Sequence, residues 1–360
     1  MKDQTPDPAA RAVKLSCRNL WKVYGTRPEY YFDTAGYAIE VDPLAARMRR
    51  EAHVPAAIDV SFDVHVGEIF VIMGLSGSGK STVIRCLSRL VDASHGQVLL
   101  DGQDLLAMPP KALIEVRRHK MGMVFQNFGL MPHLTVLENV AFPLRLQGVG
   151  LVEQREKAGR VIELVGLRGR EGAFPGQLSG GQQQRVGIAR SLVVEPDVWF
   201  LDEPFSALDP LIRRQMQDEF LRIQKMLHKS IVFITHDFLE ALRIADRMAI
   251  MRDGKIVQTG TPTELILNPA DDYVARFTSE VPRIRLLQAA ACAVPATGET
   301  SALPQVSADG MAEDLIDPLA RHPEGLALRD ASGAPRGVVT PASLIAALAA
   351  LGSEDGHVAG

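Results

Sequence analysis

Three short stretches carry residue types whose spacing could do phosphate chemistry. The first runs Gly74-Leu75-Ser76-Gly77-Ser78-Gly79-Lys80-Ser81 and continues into Thr82. It fits G-x4-G-K-[ST], in which glycines let backbone N–H groups curl around phosphate oxygens. In that pattern Lys80 reaches the β- and γ-phosphates and the Ser81 hydroxyl ligates Mg²⁺. The second stretch is Leu178-Ser179-Gly180-Gly181-Gln182. A serine hydroxyl and glycines at a helix start make a second anion site, roughly a hundred residues further on. The third is Val198-Trp199-Phe200-Leu201-Asp202-Glu203, two adjacent carboxylates behind an apolar run. Asp202 can hold Mg²⁺, and Glu203 can orient and deprotonate a water. Taken singly, each has a plainer reading: a glycine turn, a serine-capped helix, a solvated acidic turn.

The elements around these residues weigh against the plainer readings. Ile69 to Met73, Val198 to Leu201 and Ile231 to Ile234 are continuous apolar runs, which predict strands buried on both faces. The first glycine-rich turn follows one of them and opens a helical run, Lys80 to Leu90. The second opens Gln183 to Val194. The carboxylates fall at the C-terminal end of a buried strand, where open α/β sheets bind ligands. Gln126 ends the apolar strand Met123 to Phe125, and His236 follows Ile231 to Thr235. Asp209 precedes Pro210 and suits a helix N-cap, ahead of Ile212, Met216, Phe220, Ile223 and Leu227 at helical spacing. Lys14 to Tyr24 reads as a first strand. Residues 27–55, with Tyr30, Tyr31, Gly36, Arg47, Arg49 and Arg50, interrupt the pattern as an insertion with a short helix around Leu44 to Glu51. Strand alternation resumes at Ile58 to Val66. Thr135 to Leu167 is helical, and Asp253-Gly254 marks a hairpin.

Composition sets the outer limits. The 360 residues are 46% hydrophobic and 23% charged, enough for one large domain and something smaller. A net charge of −4 does not favour nucleic acid as the main partner. Cys17, Cys86 and Cys292 are odd in number and far apart, which fits a reducing compartment better than a disulfide framework or zinc site. The first residues, Met1 to Arg11, are polar and lack the apolar core of a secretory signal. No apolar run reaches the ~18 residues of a membrane span.

A phosphate loop alone leaves kinases, GTPases and motor ATPases open. The second glycine-rich helix start closes that choice, because Leu178 to Gln182 resembles the signature sequence of ABC ATPases. Val198 to Glu203 is similar to that family's Walker B strand. The resemblance covers about residues 14–280. It implies an α/β P-loop NTPase fold with a RecA-like core, an antiparallel β subdomain and a helical subdomain at about 127–177. It implies ATP and Mg²⁺ as cofactors and a homodimer that sandwiches two nucleotides. Gly74, Ser76, Gly77, Ser78, Gly79, Lys80, Ser81 and Thr82 would cradle one nucleotide's phosphates. Ser179, Gly180, Gly181 and Gln182 would face the nucleotide held by the other copy, and Asp209 would sit at the dimer interface. Ser81, Asp202 and Gln126 would serve Mg²⁺, Glu203 would act as base, and His236 would contact the γ-phosphate. Tyr24, with Trp21 second, would stack on adenine.

The flanking words narrow the resemblance. GEIFVIMGLSGSGKST, MVFQNFGLMPHLTVLENVAF and FSALDPLIRRQMQDE look like the ATP-binding subunits of glycine betaine/proline importers, as does the position of the insertion. The implied partners are two membrane permease subunits and an external substrate-binding protein, with the chain peripheral on the cytoplasmic face. The implied cargo is glycine betaine, choline, carnitine or proline betaine; amino-acid and taurine importers are the rivals, and a soluble non-transport ABC ATPase is more distant. Of Phe128, Leu130 and Met131, which would otherwise read as core, some are expected in a groove that receives the permease. Residues 281–324, rich in Ala, Pro, Ser, Thr and Gly, read as a linker or poorly ordered segment. GLALRDASGAPRGVVTPASLIAAL, within 325–351, resembles only the last strand–strand–helix part of a CBS module, for dimer contact or as a vestigial tail. Residues 1–13 are expected to be flexible.

Overall fold

Five consecutive apolar residues, Ile69–Met73, are buried on every side, and they form the middle of a sheet whose neighbours are equally apolar. The computed structural model describes residues 11–32, 39–126, 129–279, 282, 284, 287–295 and 303–353. Gly36, Asn127 and Phe128 lie outside the described residues, as does most of the N-terminal stretch. The described chain divides into two compact units, the larger ending at Pro262 and the smaller beginning at Thr263.

In the larger unit the elements run β1 (Val13–Tyr24), α1 (Val41–Arg50), β2 (Val54–His65), β3 (Ile69–Met73) and α2 (Lys80–Leu87). They continue β4 (His95–Leu100), β5 (Gln103–Asp104), α3 (Pro110–His119), β6 (Met121–Val124), α4 (Val136–Leu146), α5 (Leu151–Leu164) and α6 (Gly180–Leu192). The last are β7 (Val198–Asp202), α7 (Pro210–Leu227), β8 (Ser230–Thr235), α8 (Phe238–Ile244), β9 (Arg247–Arg252) and β10 (Lys255–Gly260). One sheet is antiparallel, in the order β2-β1-β4-β5. The other has the order β10-β9-β3-β8-β7-β6; β9, β3, β8, β7 and β6 are parallel and β10 is an antiparallel edge. Phe62 of one sheet stacks on Phe70 of the other with ring centroids 4.8 Å apart, inside a core that also holds Leu15, Val83, Leu87, Val98, Phe200 and Val232. On the opposite face Phe220 packs against Trp199, Phe205 and Phe233. The parallel register ends the central strands together: Met73 lies beside Thr235, Ile234 beside Asp202, and Leu201 beside Val124. That shared edge positions the candidate site.

Helices α4, α5 and α6 pack on one another. Thr135 and Glu138 form a capping box at the start of α4, and buried Asn139 bonds both the N–H and the carbonyl of Met131. The insertion is packed. Its Tyr31, Ala45 and Met48 share a core with Trp21, Val23 and Ile58.

The smaller unit corrects the linker expectation. After α9 (Pro262–Leu267) and α10 (Asp272–Thr278) come β11 (Gln305–Ser307), α11 (Ile316–Arg321), β12 (Leu326–Arg329), β13 (Pro335–Val339) and α12 (Pro341–Ser353). Strand β11 runs parallel to β12, and β13 antiparallel to it. This β–α–β–β–α unit is more than the strand–strand–helix piece expected from 325–351. Leu287, Ala289, Cys292, Ala308, Ala312, Leu315 and Leu319 are buried with Leu326, Leu328, Val339 and Leu344. Sparse, spaced leucines and alanines suffice here because the segment is short and each covers a small face. The amides of Ala308, Ala312 and Ala327 bond to the carbonyls of Arg329, Leu287 and Pro304. Amide exchange of the full chain should therefore be slowed at these three positions by at least ~10²-fold over an unstructured chain; exchange at the unstructured rate would restore the linker reading.

Candidate functional site

The loop after β3 is shaped by glycines that nothing else could replace. Gly74 has φ +151° and Gly79 φ +103°; a Cβ on Gly79 would lie 2.1 Å from the Ala56 carbonyl oxygen. A Cβ on Gly74 would lie 2.3 Å from the Met251 carbonyl. Gly77 also has positive φ, and a Cβ there would meet nothing within 4 Å, so its backbone faces an open cradle. Lys80, buried at the start of α2, donates to the carbonyls of Gly74 at 2.8 Å and Leu75 at 3.0 Å. The Ser81 hydroxyl donates to Asp202 Oδ1 at 2.9 Å across the edge from β3 to β7.

Glu203 directly follows β7. Its φ of +48° is uncommon for a non-glycine residue. The conformation is pinned from both sides: its N–H donates to the Ile234 carbonyl, and the Ser206 hydroxyl donates to its own carbonyl at 3.0 Å. The carboxylate is thereby turned toward two neighbours. Gln126 Nε2 donates to Glu203 Oε2 at 3.3 Å, and His236 Nδ1 lies 3.3 Å from the same oxygen. Gln126, Glu203, His236, Lys80, Ser81 and Asp202 thus converge on one edge of the sheet.

The site stores unfavourable charge. Burial pushes the Lys80 ammonium below the ordinary lysine range, opposed by the nearby Glu203 and Asp202 carboxylates. Burial likewise raises Asp202 above the ordinary carboxylate range, opposed by the Ser81 hydrogen bond and the Arg85 guanidinium. Arg85 lies 3.7 Å from Asp202 Oδ2. Sequence reading missed it, although its place four residues after Ser81 puts both on one helix face. It also missed the support behind His236: Asp237 caps α8, and buried Glu240 accepts from Gln217 Nε2 at 3.0 Å. The Asp253-Gly254 turn, expected as a hairpin, also reaches the phosphate loop, which sequence reading did not foresee: its Gly254 N–H donates to the Ser78 carbonyl.

The residues fit a bound triphosphate and its metal. Ser78 Oγ, in the glycine-rich loop, is buried without a protein partner. Among the described residues no cluster of three or more His, Cys, Asp or Glu could hold a metal alone. Ser81 and Asp202 supply two oxygens, the sparse protein ligation that suits Mg²⁺ with phosphate and water.

The signature stretch lies elsewhere in the chain. Ser179 caps α6 and forms a capping box with Gln182. A Cβ on Gly181 would lie 2.9 Å from Ile212, and one on Gly180 3.7 Å from Leu208. Its neighbours are therefore the loop Ser206–Asp209 and the start of α7, which Asp209 caps through the Ile212 N–H. Tyr24 ends β1 with 43% of its surface exposed, whereas Trp21 is wholly buried and so unfit to stack on a ligand. Beside α3, α4 and α6 lies a groove of about 520 Å³ lined by Ile114, Phe125, Met131, Phe142, Leu146 and the three arginines Arg117, Arg118 and Arg190. Met131 lines it; Leu130 is half-buried outside that lining.

Phosphate chemistry at the C-terminal ends of parallel strands is the work of P-loop ATPases, and this fold is one of them. Residues 58–206 match the ABC transporter family. The chain is 49% identical to the trimethylamine N-oxide transport system ATP-binding protein TmoW of Pelagibacter ubique, over 92% of this chain and 96% of that protein. It is 58% identical to TmoW of Ruegeria pomeroyi over 76% of this chain and 80% of that one. It is 48% identical to the glycine betaine/proline betaine transport system ATP-binding protein ProV of Escherichia coli, over 74% of this chain and 66% of that one. A solved dimeric ATP-binding cassette in a post-hydrolysis state, bound to ADP and Pi, superposes with a TM-score of 0.57 at 30% identity, over 69% of this chain and 98% of that one. The chain belongs to the ATP-binding proteins of the ABC transporter family, and it is an ATPase of that family.

The charge stored at Asp202 has a measurable sign. Its folded-state pKa lies above 3.8, so the ionised form costs stability, fully above the folded value and not at all below 3.8. At neutral pH, Asp202→Asn should raise the melting temperature of the nucleotide-free protein by about 2–4 °C per kcal/mol relieved. The same substitution should abolish the further stabilisation by Mg-ATP. A lower melting temperature at neutral pH would contradict the assignment of a desolvated carboxylate.

Proposed function

We propose that this chain is the ATP-hydrolysing subunit of a membrane importer for small trimethylated amines or amine oxides. One observation carries the catalytic part: Lys80, Ser81, Asp202, Gln126, Glu203 and His236 meet at one sheet edge. Lys80 and the backbone of Gly74 to Ser81, with Thr82 following, bind and orient the triphosphate, and the exposed ring of Tyr24 takes the adenine. Ser81, Asp202 and Gln126 would hold Mg²⁺, which would supply charge neutralisation for the triphosphate. Glu203 accepts a proton from the water that attacks the γ-phosphorus, while the bond to the β,γ-bridging oxygen breaks and ADP leaves. His236, beside Glu203, donates to the γ-phosphate oxygens as charge builds. Catalysis is then positioning and charge stabilisation.

Placement of Ser179 to Gln182 beside Leu208 and Ile212 supports a shared site. A second copy would present its signature helix to the nucleotide held by the first, with Asp209 and its loop at the junction. ATP binding would close the two copies, and closure would move the permease. The apolar groove rimmed by Arg117, Arg118 and Arg190 is the face we assign to the permease, since an exposed apolar patch of this kind needs a partner. No described helix is long and apolar enough to cross a membrane. The relatives' transport role is what supports a peripheral place on the cytoplasmic face, beside two permease subunits and an external binding protein. The cargo class rests on the relatives. The trimethylamine N-oxide protein of Pelagibacter ubique aligns over nearly its whole length, whereas the betaine protein of Escherichia coli aligns over 66% of its length.

Two experiments test this reading. Glu203→Gln should lower ATP turnover by about 10²–10⁴-fold and trap an ATP-bound dimer visible by gel filtration; robust turnover would remove Glu203 as the base. Deleting the gene should abolish uptake of labelled trimethylamine N-oxide or glycine betaine, with recovery on complementation. Unchanged uptake of both, with loss of an amino acid or taurine instead, would move the cargo to that class.

A further inference from the structure

The insertion between β1 and β2 has no part in the chemistry above, yet its contacts reach both ends of the nucleotide site. At one end His53 sits on the loop that follows Tyr24. Its Nε2 lies 3.0 Å from the Thr26 carbonyl oxygen, within hydrogen-bond distance. The ring rests on Gly25, whose φ is +150° and whose Cβ, if present, would lie 2.0 Å from His53 Cδ2. Only glycine lets the imidazole sit there. The ring is fixed from behind: Nδ1 lies 2.9 Å from both the Tyr31 hydroxyl oxygen and the Glu51 carbonyl oxygen, and that hydroxyl donates to the Glu51 carboxylate at 2.7 Å. Arg47 in turn donates to Glu51 at 2.9 Å and lies over the Tyr31 ring.

At the other end, helix α1 grips the β9–β10 turn. Arg49 donates to the Asp253 carbonyl at 3.5 Å, and Lys255 pairs with Asp42. The next residue of that turn, Gly254, bonds the Ser78 carbonyl of the phosphate loop, and its own carbonyl accepts from Ile58. The insertion therefore joins the end of β1, which carries Tyr24, to the turn that supports Ser78.

We propose that the insertion is a brace that sets the spacing between the base-contacting end of β1 and the phosphate loop, with His53 as its positioning residue. His53 acts through Gly25 and Thr26 and touches no reacting atom. The proposal rests on the end of β1 and its following loop, with Tyr24 as the assigned group, being the base contact. It predicts a selective effect: loosening the brace weakens binding of a ligand that spans both ends, and leaves a ligand confined to the phosphate loop untouched.

Calorimetric titration of the full chain with Mg-ATP and with inorganic tripolyphosphate separates these. His53→Ala should weaken ATP by about five-fold, the worth of one typical hydrogen bond, with tripolyphosphate affinity unchanged. His53→Gln, whose amide can donate to the Thr26 carbonyl, should recover most of the loss. Equal weakening of both ligands, or no weakening, overturns the brace. Tyr24→Ala in the same assay tests the reading beneath it. If it weakens ATP while His53→Ala does not, the base contact stands and the brace falls. If His53→Ala weakens ATP selectively while Tyr24→Ala does not, the brace stands and the base rests on another group of the same loop. If neither weakens ATP, both fall.

Discussion

A hydroxyl donating to a buried carboxylate, Ser81 to Asp202, is the contact on which the site depends. It joins the first turn of α2 to the end of β7, two strands away from β3 in the sheet. The contact exists because β3, β8 and β7 run parallel in a register that ends them level. A strand slip would move every side chain to the other face of its strand and separate the two groups. The apolar runs that hold this register are therefore as necessary to catalysis as the polar residues at their ends. Between them the protein buries an ammonium and a carboxylate that would each be better solvated in water. A polyanion and a divalent cation are ligands whose charges would relieve both.

The shared edge of the candidate site was legible in sequence because its residues sit at or just after the end of an apolar run, where position along the chain predicts position in the sheet. Gly74 to Ser81, Asp202, Glu203, His236 and Gln126 all follow that rule. Arg85, Glu240 and the Asp253-Gly254 turn do not. They reach the site from helix faces or from a strand paired across the sheet, and only the fold brings them near. Tyr24 and Trp21 lie three residues apart on β1, and alternation alone does not say which side chain is covered; packing against Tyr31 and Met48 of the insertion buries Trp21.

The smaller unit was hidden for a different reason. Its core is built from alanines, one cysteine and scattered leucines, so the stretch before β12 shows neither a strong strand period nor a strong helix period. Composition rich in Ala, Pro and Ser reads as a linker, yet Ala289, Ala308 and Ala312 are buried. Small side chains let short segments approach closely, and backbone hydrogen bonds to β12 and to Leu287 tie these segments into the unit. The near full-length alignment with the Pelagibacter ubique protein extends over this region as well.

The central claim is that each nucleotide is hydrolysed between the phosphate loop of one copy and the signature helix of another. Mixing two inactive variants tests it directly, with Lys80→Ala disabling the phosphate loop and Ser179→Ala the signature. In a mixed dimer one site carries both defects and the other carries none. The account predicts that ATPase activity reappears on mixing, up to the share of mixed dimers formed. Activity that stays at the sum of the two variants alone would contradict the shared site.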